Sequence, residues 1–230
     1  MINVALMLAG KGTRMNLDIP KQFIEVNNKE IFEYALTTFD NNPLIDKIFL
    51  VINKEDFIHV KNVVNKNSHK HPIEYVYGGS SRQESVFNAL KQIYESGTNI
   101  NDKNLIHDAC RPLLTNKLIN KIMQTLDTEV ACVPVLPITD SICISNTADY
   151  IDKNEDRSKF FALQTPQGFD FNFIFKVHCN ARNLQLNYFT DDTSLVIING
   201  GKVKLIEGEK FNFKITTFDD LYLFKSLVRG

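Results

Sequence analysis

The sequence predicts an α/β sandwich built around a mostly parallel β-sheet. Short apolar runs that are typical of buried strands alternate along the chain with amphipathic stretches whose apolar residues recur at helical spacing. This alternation is typical of helices packed against the faces of a parallel sheet. The chain has 230 residues, of which 43% are hydrophobic, so it can bury one substantial core. We therefore expect a single domain over residues 1–230.

Strands and helices are predicted in strict alternation up to residue 135. The strands are predicted at Val4–Leu8, Ile48–Ile52, Ile73–Tyr77, Leu105–His107 and Val130–Val135. The helices between them are predicted at Ile31–Phe39, Phe57–Val64, Val86–Tyr94 and Leu118–Leu126. Asp56 or Glu55 is expected to open the second helix, and Thr115 is expected to cap the fourth.

Residues 139–161 interrupt this alternation. The segment is polar, and its alternating residues flank a centre rich in Asn and Asp, which predicts an extended β-hairpin. A disordered loop is the alternative. Such a hairpin in an α/β domain serves either as a lid or as an arm that grips another subunit. Beyond it, we expect helices at Phe171–Arg182, Asp192–Ile198 and Asp219–Val228, and a strand at Val203–Ile206.

Charge and composition exclude several classes of protein. A net charge of −1 provides no basic field to hold nucleic acid, so locally placed cations must bind any anionic ligand. No apolar run is long enough to span a bilayer, and the N-terminal run ends at Gly10 without the basic segment of a signal peptide. The cysteines show no C-x-x-C pair, which fits free thiols in a reducing cytoplasm. They are Cys110, Cys132, Cys143 and Cys179.

A small-residue turn follows the first predicted strand and indicates a phosphate site. The turn comprises Leu8, Ala9, Gly10, Lys11, Gly12, Thr13 and Arg14. Glycines let backbone N–H groups approach a phosphate, and Arg14 and Lys21 add two cations just beyond. The spacing fits neither a P-loop nor a dinucleotide-binding loop, which has a third glycine where Met15 stands. The pattern indicates a nucleoside triphosphate site; an ordinary turn with two surface cations is the alternative.

Two further segments also follow predicted strands. Because ligands bind at the carboxyl ends of parallel strands, we expect Gly78–Ser85 and Asp108–Arg111 to lie beside the glycine-rich turn. Asp108 is a suitable Mg²⁺ ligand, since magnesium prefers one or two carboxylates plus phosphate oxygens and water; a helix N-cap is the alternative. Arg111 can pair with Asp108 or with phosphate. His107 is interpreted as a packed, structural histidine.

The remaining candidates carry hydroxyls or a cation. The serines and exposed backbone of Gly78–Ser85 can read the edge of a nucleobase; the alternative is that they form capping boxes. Thr165 lies in a turn made rigid by proline, and Lys214 lies in an apolar frame, aimed at an anion or snorkelling. No nucleophile–base pair stands out. Glycines, cations and one aspartate suit phosphoryl or nucleotidyl transfer.

Taken together, the motifs resemble those of the 2-C-methyl-D-erythritol 4-phosphate cytidylyltransferases of isoprenoid precursor synthesis. The matching pieces are LAGKGTRM with PKQF, GGSSRQESV, HDACRP, TDS, ALQTPQGF, FTDDTSLV and EGEKFNFKITT. They run from residue 8 to about residue 217, and their combination in this order is specific. Ribitol-5-phosphate cytidylyltransferases of cell-wall and capsule synthesis are close relatives.

The resemblance implies a fold and an assembly. It implies a Rossmann-like three-layer sandwich with a protruding β-arm, to which residues 139–161 correspond, and a homodimer formed through that arm. It also implies a cytoplasmic enzyme that uses CTP, a polyol phosphate and Mg²⁺. The implied CTP-binding residues are Leu8, Ala9, Gly10, Lys11, Gly12, Thr13, Gly79, Ser80, Ser85, Asp108 and Arg111.

The resemblance also implies individual roles. Arg14 and Lys21 stabilise the charge that develops on the α-phosphate, and Asp108 holds Mg²⁺. Gly79, Ser80 and Ser85 match the segment that reads cytosine, although the family often has an acidic residue at position 80. The residues that position the sugar phosphate are Ser141, where threonine is usual, Arg157 from the partner's arm, Thr165 and Lys214.

Three functions follow as expectations. The short loop AGKGTR, the segment Thr190–Ser194 and the pair Arg82-Gln83 favour methylerythritol phosphate over ribitol phosphate as the acceptor. The acceptor's phosphate oxygen is already anionic at neutral pH, since the second phosphate pKa is about 6, so it attacks the α-phosphorus without a general base. A nucleotide-binding module without activity is the third reading; the intact charged positions argue against it.

Overall fold

The computed structural model describes residues 1–10, 19–97, 99, 101–184, 186, 189 and 191–228. The strands are β1 (Ile2–Met7), β2 (Glu25–Val26), β3 (Lys29–Glu30), β4 (Lys47–Ile52), β5 (Ile73–Tyr77), β6 (Lys103–Asp108), β7 (Ala131–Pro137), β8 (Ile142–Ile144), β9 (Lys153–Glu155), β10 (Phe161–Leu163), β11 (Gln167–Asp170) and β12 (Lys204–Glu207). The helices are α1 (Ile31–Asn41), α2 (Phe57–Val64), α3 (Arg82–Glu95), α4 (Asn116–Thr125), α5 (Phe171–Asn183), α6 (Asp192–Ile198) and α7 (Phe218–Val228). Within these ranges, no helix has the length and apolar character needed to cross a membrane.

The main sheet is mostly parallel, as predicted. Strands β5, β4, β1 and β6 are parallel neighbours, and Val4 at the centre pairs with Ile48 and Leu105. β11 enters antiparallel between β6 and β7, and β12 runs parallel to β7 on its other edge. β10 lies antiparallel along the same edge of β7 as β11. The carboxyl ends of β1, β4, β5 and β6 therefore meet at one edge of the sheet.

Helices cover both faces of this sheet. Because side chains alternate along a strand, Val4 and Leu6 point to one face and Ala5 to the other. The first face packs against α1, α2 and α4, with Phe39 and Ile119 fully buried. The second face packs against α3, α5 and α6. A smaller cluster joins α7 to α1. The predicted three-layer α/β sandwich is confirmed.

Several predicted elements agree with the structure residue for residue. α2, β5 and α6 have the predicted bounds, and the Thr115 hydroxyl accepts a hydrogen bond from the Leu118 N–H, which confirms its capping role. Asp56 occupies the N-cap position of α2 without a side-chain hydrogen bond to the helix. The sequence analysis missed β2, β3, β10 and β11. β11 requires Gly168, because a Cβ there would lie 2.4 Å from a methyl group of Ile122 in α4.

The hairpin predicted at residues 139–161 is present. β8 and β9 pair antiparallel in a two-stranded sheet of their own, with Ile142 opposite Glu155. Most of the hairpin is exposed, including the apolar side chains of Tyr150 and Ile151. The hairpin therefore contributes little to the core of its own chain. The paired strands form the predicted hairpin and not the alternative, a disordered loop.

A buried ionic chain ties three helices of the second face together. Arg82, the first residue of α3, donates from Nη1 to Oδ2 of Asp192 at 2.7 Å. The other carboxylate oxygen of Asp192 contacts Nε2 of His178 in α5 at 3.1 Å. Burial alone raises the pKa of Asp192, but the Arg82 charge and the His178 contact outweigh it and lower that pKa from 3.8 to about 2. The ion pair therefore stabilises the folded chain only while Asp192 is ionised.

Acid is expected to remove this contribution. Because the folded-state pKa of Asp192 is depressed, its stabilisation is present above about pH 4 and is lost as the pH falls towards 2. The loss amounts to about 2 kcal/mol of unfolding free energy. Urea unfolding of the wild type and of Asp192→Asn across this range measures it.

The variant supplies the comparison that isolates Asp192 from other carboxylates. Asp192→Asn is expected to destabilise the chain strongly near neutral pH, because it leaves the Arg82 guanidinium without its counter-ion. Protonated aspartic acid resembles asparagine, so the difference between the two proteins should shrink as the pH approaches 2. A difference that stays constant with pH would contradict the assignment.

Candidate active site

A cleft lies where the carboxyl ends of β1, β4, β5 and β6 meet. Its volume is about 690 Å³, which suits a nucleotide-sized ligand. Within the described ranges, it is lined by Met7, Ala9, Gly10, Lys21, Gln22, Asn53, Lys54, Glu55, Gly78, Gly79, Ser80, Ser81, Arg82, Ser85, Asp108, Ala109, Cys110 and Lys214. The segments that the sequence analysis assigned to one edge of the sheet are thus brought together.

The segment that carries Lys21 is fastened to the glycine-rich turn. Residues Lys21–Phe23 form a short 3₁₀ turn. The buried amide of Gln22 donates from Nε2 to the carbonyl oxygens of Leu8, at 2.6 Å, and Gly10, at 3.0 Å. Lys21 is largely buried and lines the cleft beside this junction. The predicted site residues Lys11, Gly12, Thr13 and Arg14 lie outside the described residues.

Asp108 lies at the end of β6 among three cations. Lys214 Nζ lies 2.9 Å from Oδ2, and Arg111 Nε lies 3.6 Å from the same oxygen. Burial favours the neutral acid, but the charges of Lys214, Arg82 and Arg111 outweigh it and hold the pKa of Asp108 well below its usual range. Asp108 is therefore ionised at neutral pH, and the cations around it are held close together without a bound anion.

The carboxylate oxygens of Asp108 are suitable ligands for a magnesium ion. Asp108 lines the cleft, and both of its described ion pairs use Oδ2, so its second carboxylate oxygen, Oδ1, can serve as a ligand for a cation. Magnesium needs only one or two carboxylates when phosphate oxygens and water complete its coordination. No cluster of three or more acidic, histidine or cysteine side chains occurs in the described ranges to form a closed metal cage. A cation bound with substrate suits this donor set.

Thr165 and His107 fix the backbone behind Asp108. The N–H of Asp108 donates to Thr165 Oγ1 at 3.0 Å, and this hydroxyl contacts Nδ1 of His107 at 3.0 Å. Nε2 of His107 faces the carbonyl oxygen of Arg111 at 3.1 Å, so Nε2 carries the proton and Nδ1 accepts from Thr165. Complete burial lowers the pKa of His107 to about 4. The imidazole is neutral, as the structural reading of this histidine requires.

Arg111 joins three loops. Its guanidinium donates from Nη1 to the carbonyl of Asn212 at 3.0 Å and from Nη2 to that of Leu163 at 3.3 Å. Asn212 is fully buried and donates from its side chain to the Thr165 carbonyl at 2.8 Å. Arg111 is absent from the described cleft lining. Its contacts position the segment that carries Lys214 and do not aim the guanidinium into the cleft.

The segment Gly78–Ser85 forms part of the cleft wall. A Cβ on Gly78 would lie 2.7 Å from the Cβ of Ala9, so glycine allows the wall to meet the glycine-rich turn. Ser85 is buried and accepts from the Gly79 N–H at 3.0 Å. The Ser81 hydroxyl caps α3 by accepting from the Glu84 N–H at 3.1 Å. One of the two predicted capping boxes is thus present in modified form, since the Glu84 side chain reaches Ser80 instead of the cap residue.

Two predicted site residues lie away from the cleft of their own chain. Arg157 follows β9 on the arm and donates to the carbonyl of Thr139. Ser141 lies at the base of the same arm and is exposed. Neither is among the described residues that line the cleft. The chain therefore does not bring them to Asp108 by itself.

Sequence reasoning missed Gln22 and Arg82 as parts of the site. The amide of Gln22 has no chemical signature, and only its place between Lys21 and Phe23 pointed to it. Arg82 lines the cleft, and its ion pair with the buried Asp192 holds it there. Burial alone would lower the pKa of Arg82. The negative charges of Asp192 and Asp108 outweigh this effect and raise that pKa above its ordinary value.

Known proteins resemble this chain over its whole length. The family model described as 2-C-methyl-D-erythritol 4-phosphate cytidylyltransferase (IspD) matches residues 2–229. Curated proteins of that name are 37% identical in Clostridium beijerinckii, over 100% of this chain and 99% of the relative, and 36% identical in Clostridioides difficile, over 99% and 94%.

Solved structures agree. The crystal structure of the Francisella tularensis protein of that name has a TM-score of 0.83 at 29% identity and covers 99% of both chains. The Anaerococcus prevotii 4-diphosphocytidyl-2C-methyl-D-erythritol synthase has a TM-score of 0.81 at 29% identity, over 100% of this chain and 98% of that one. These matches confirm the Rossmann-like α/β fold. The chain belongs to the 2-C-methyl-D-erythritol 4-phosphate cytidylyltransferase family.

Proposed function

We propose that the chain transfers a cytidylyl group from CTP to 2-C-methyl-D-erythritol 4-phosphate, giving the CDP-linked product and pyrophosphate for isoprenoid precursor synthesis. Family membership supports this reaction. The observation that carries it is the convergence of Lys21, Asp108 and Lys214 on one cleft that begins at a glycine-rich turn. Such a site suits the binding of phosphates.

The reaction asks the protein to bring two anions together. A phosphate monoester oxygen of the acceptor forms the new P–O bond at the α-phosphorus, and the bond to pyrophosphate breaks on the opposite side. No general base is needed, because the attacking oxygen is already ionised. Lys21 stabilises charge at the α-phosphate, together with Arg14. Lys214, whose side chain is more than one-third exposed, is available to the acceptor's phosphate.

We assign the metal site to Asp108, whose ionised carboxylate lines the cleft. Bound Mg²⁺ would neutralise phosphate charge and polarise the P–O bonds. Lys214 and Arg111 contribute by keeping the Asp108 carboxylate ionised and in place. Thr165 and His107 hold the backbone at that position.

We also propose a homodimer formed through the arm over residues 139–161. The exposed apolar side chains of Tyr150, Ile151 and Phe161 support an arm that packs against another subunit. In that arrangement, Arg157 and Ser141 act at the acceptor site of the partner's cleft, which accounts for their distance from the cleft of their own chain. The four cysteines are free, which supports the proposed cytoplasmic location.

Pyrophosphate release tests the function directly. The assay supplies CTP and Mg²⁺, with methylerythritol 4-phosphate and ribitol 5-phosphate as acceptors in parallel. Clear preference for the first supports the proposal. Preference for the second would make the chain a CDP-ribitol enzyme with the same chemistry. CTP binding by the folded protein without turnover on either acceptor would identify a non-catalytic module.

Replacing Lys21 tests the transition-state role. Lys21→Met keeps the alkyl chain and removes the charge, so we expect kcat to fall by ~10²–10³ with a small change in KM for CTP. Steady-state kinetics and thermal melting measure both effects. Lys117→Met, on the exposed surface of α4, is the matched control. A folded Lys21→Met enzyme with near wild-type kcat would contradict the role.

Thr165 offers a test of the buried network. Thr165→Val keeps the shape but leaves the Asp108 N–H and His107 Nδ1 without partners, which should cost about 1–3 kcal/mol of stability and lower kcat. Thr165→Ser keeps the hydroxyl and should restore both. If the serine variant is instead as destabilised and as slow as the valine variant, the hydroxyl network does not explain the role of Thr165.

A further inference from the structure

The contact between Ser80 and Glu84 at the cleft wall bears on which nucleobase the cleft accepts. We propose that Glu84 is a positioning residue that fixes the Ser80 hydroxyl as a hydrogen-bond acceptor, so that the cleft selects a base with an exocyclic amine. The inference rests on the proposed function, in which a nucleoside triphosphate occupies this cleft. It adds a residue outside the described cleft lining that sets the choice between cytosine and uracil.

Both donors of Ser80 go to one oxygen. The Ser80 N–H and the Ser80 O–H each donate to Oε2 of Glu84, at 2.7 Å in both cases. A carboxylate has no proton to give, so the hydroxyl proton must lie on the line between the two oxygens. The same hydrogen bonds lower the pKa of Glu84, which keeps it ionised at neutral pH. Ser80 lines the cleft, and its oxygen offers only lone pairs to a ligand there.

The neighbouring donors are used up as well. The Gly79 N–H donates to Ser85 Oγ, and the Ser85 hydroxyl donates to the Ser81 carbonyl at 2.8 Å. The Gly78 N–H donates to the Ile52 carbonyl at 2.8 Å. These backbone and hydroxyl protons are therefore committed to the protein. The polar atoms of Gly78–Ser80 that remain available to a base are therefore mainly hydrogen-bond acceptors.

The backbone is shaped for this contact. A Cβ on Gly79 would lie 2.2 Å from the Cγ of Glu84 and 2.5 Å from its Oε2. Any other residue at position 79 would push the carboxylate away from Ser80. Glycine at this position thus gives Glu84 the space to fold back over the start of α3. The turn therefore has the shape that the contact between Glu84 and Ser80 requires.

Polarity then decides between pyrimidines. Cytosine presents an N4 amine, a donor, where uracil presents O4, an acceptor. An amine facing the Ser80 oxygen makes a hydrogen bond, whereas a carbonyl there sets two acceptors against each other. Without Glu84, the Ser80 hydroxyl can rotate, so that it accepts from the N4 amine of cytosine or donates to O4 of uracil. Selectivity therefore comes from the hydrogen bond that commits the Ser80 proton to Glu84, and not from the serine alone.

The experiment measures kcat/KM for CTP and for UTP, by pyrophosphate release with methylerythritol 4-phosphate. Glu84→Ala frees the Ser80 hydroxyl and should lower the CTP-to-UTP ratio by about 10-fold. Glu84→Gln should hold the ratio within about 2-fold of wild type, because a single amide oxygen can accept from both Ser80 donors. Glu95→Ala, at the exposed far end of the same helix, is the matched control.

A second background separates this mechanism from a loss of helix capping. With Ser80→Ala, the hydroxyl is gone, so adding Glu84→Ala should leave the CTP-to-UTP ratio unchanged. A capping effect would lower the melting temperature and act equally on both nucleotides in either background. The proposal is overturned if Glu84→Ala leaves the ratio unchanged, or if it changes the ratio equally with and without Ser80.

The wild type distinguishes failure of this inference from failure of the function. A wild-type protein that turns over neither nucleotide overturns the proposed function and this inference with it. An active wild type whose ratio is insensitive to Glu84→Ala overturns the base-selection role alone.

Discussion

The ion pair between Lys214 and Asp108 is the interaction on which the site depends. The cleft must hold Lys21, Lys214 and Arg82 near one another before any phosphate arrives, and like charges at such distances repel. Asp108 offsets that repulsion from the end of β6, where burial strengthens its attraction to each cation. Asp192 does the same for Arg82 from the other face. A chain whose net charge is only −1 can thus present a strongly cationic cleft.

Neutral groups do much of the positioning in the site. The Gln22 amide joins the Lys21 turn to Leu8 and Gly10. Thr165, His107 and Asn212 connect the segments around Asp108 and Lys214 through a buried set of hydrogen bonds. A substrate phosphate competes with carboxylates for a lysine, but it does not displace a buried amide from a carbonyl oxygen. In the proposed reaction, the framework can therefore stay fixed while Lys214 moves from Asp108 to the acceptor phosphate.

The sequence was sufficient to predict the strand ends and the residues that follow them, because buried parallel strands are continuous apolar runs and their carboxyl ends share one edge. That reasoning brought Asp108, Gly79 and Lys21 together correctly. It failed at β11, a short strand whose place between β6 and β7 depends on the space left by Gly168. It also failed at Arg82 and Asp192, which lie 110 positions apart and meet only when α3 and α6 pack on the same face. Such long-range contacts cannot be predicted from local sequence patterns.

The start of α3 carries two charged side chains that serve different roles in the proposed function. Arg82, its first residue, contributes charge on the cleft wall, while Glu84, two positions later, points back to Ser80 on the opposite side of the turn. Each of these charged side chains already has a partner, so the turn does not need a ligand to become ordered. The Gly78–Gly79 backbone makes this possible, because it lets Ala9 approach from one side and Glu84 from the other. In the proposed function, base selection and phosphate binding are therefore parts of one turn, and a substitution that shifts its backbone would alter both.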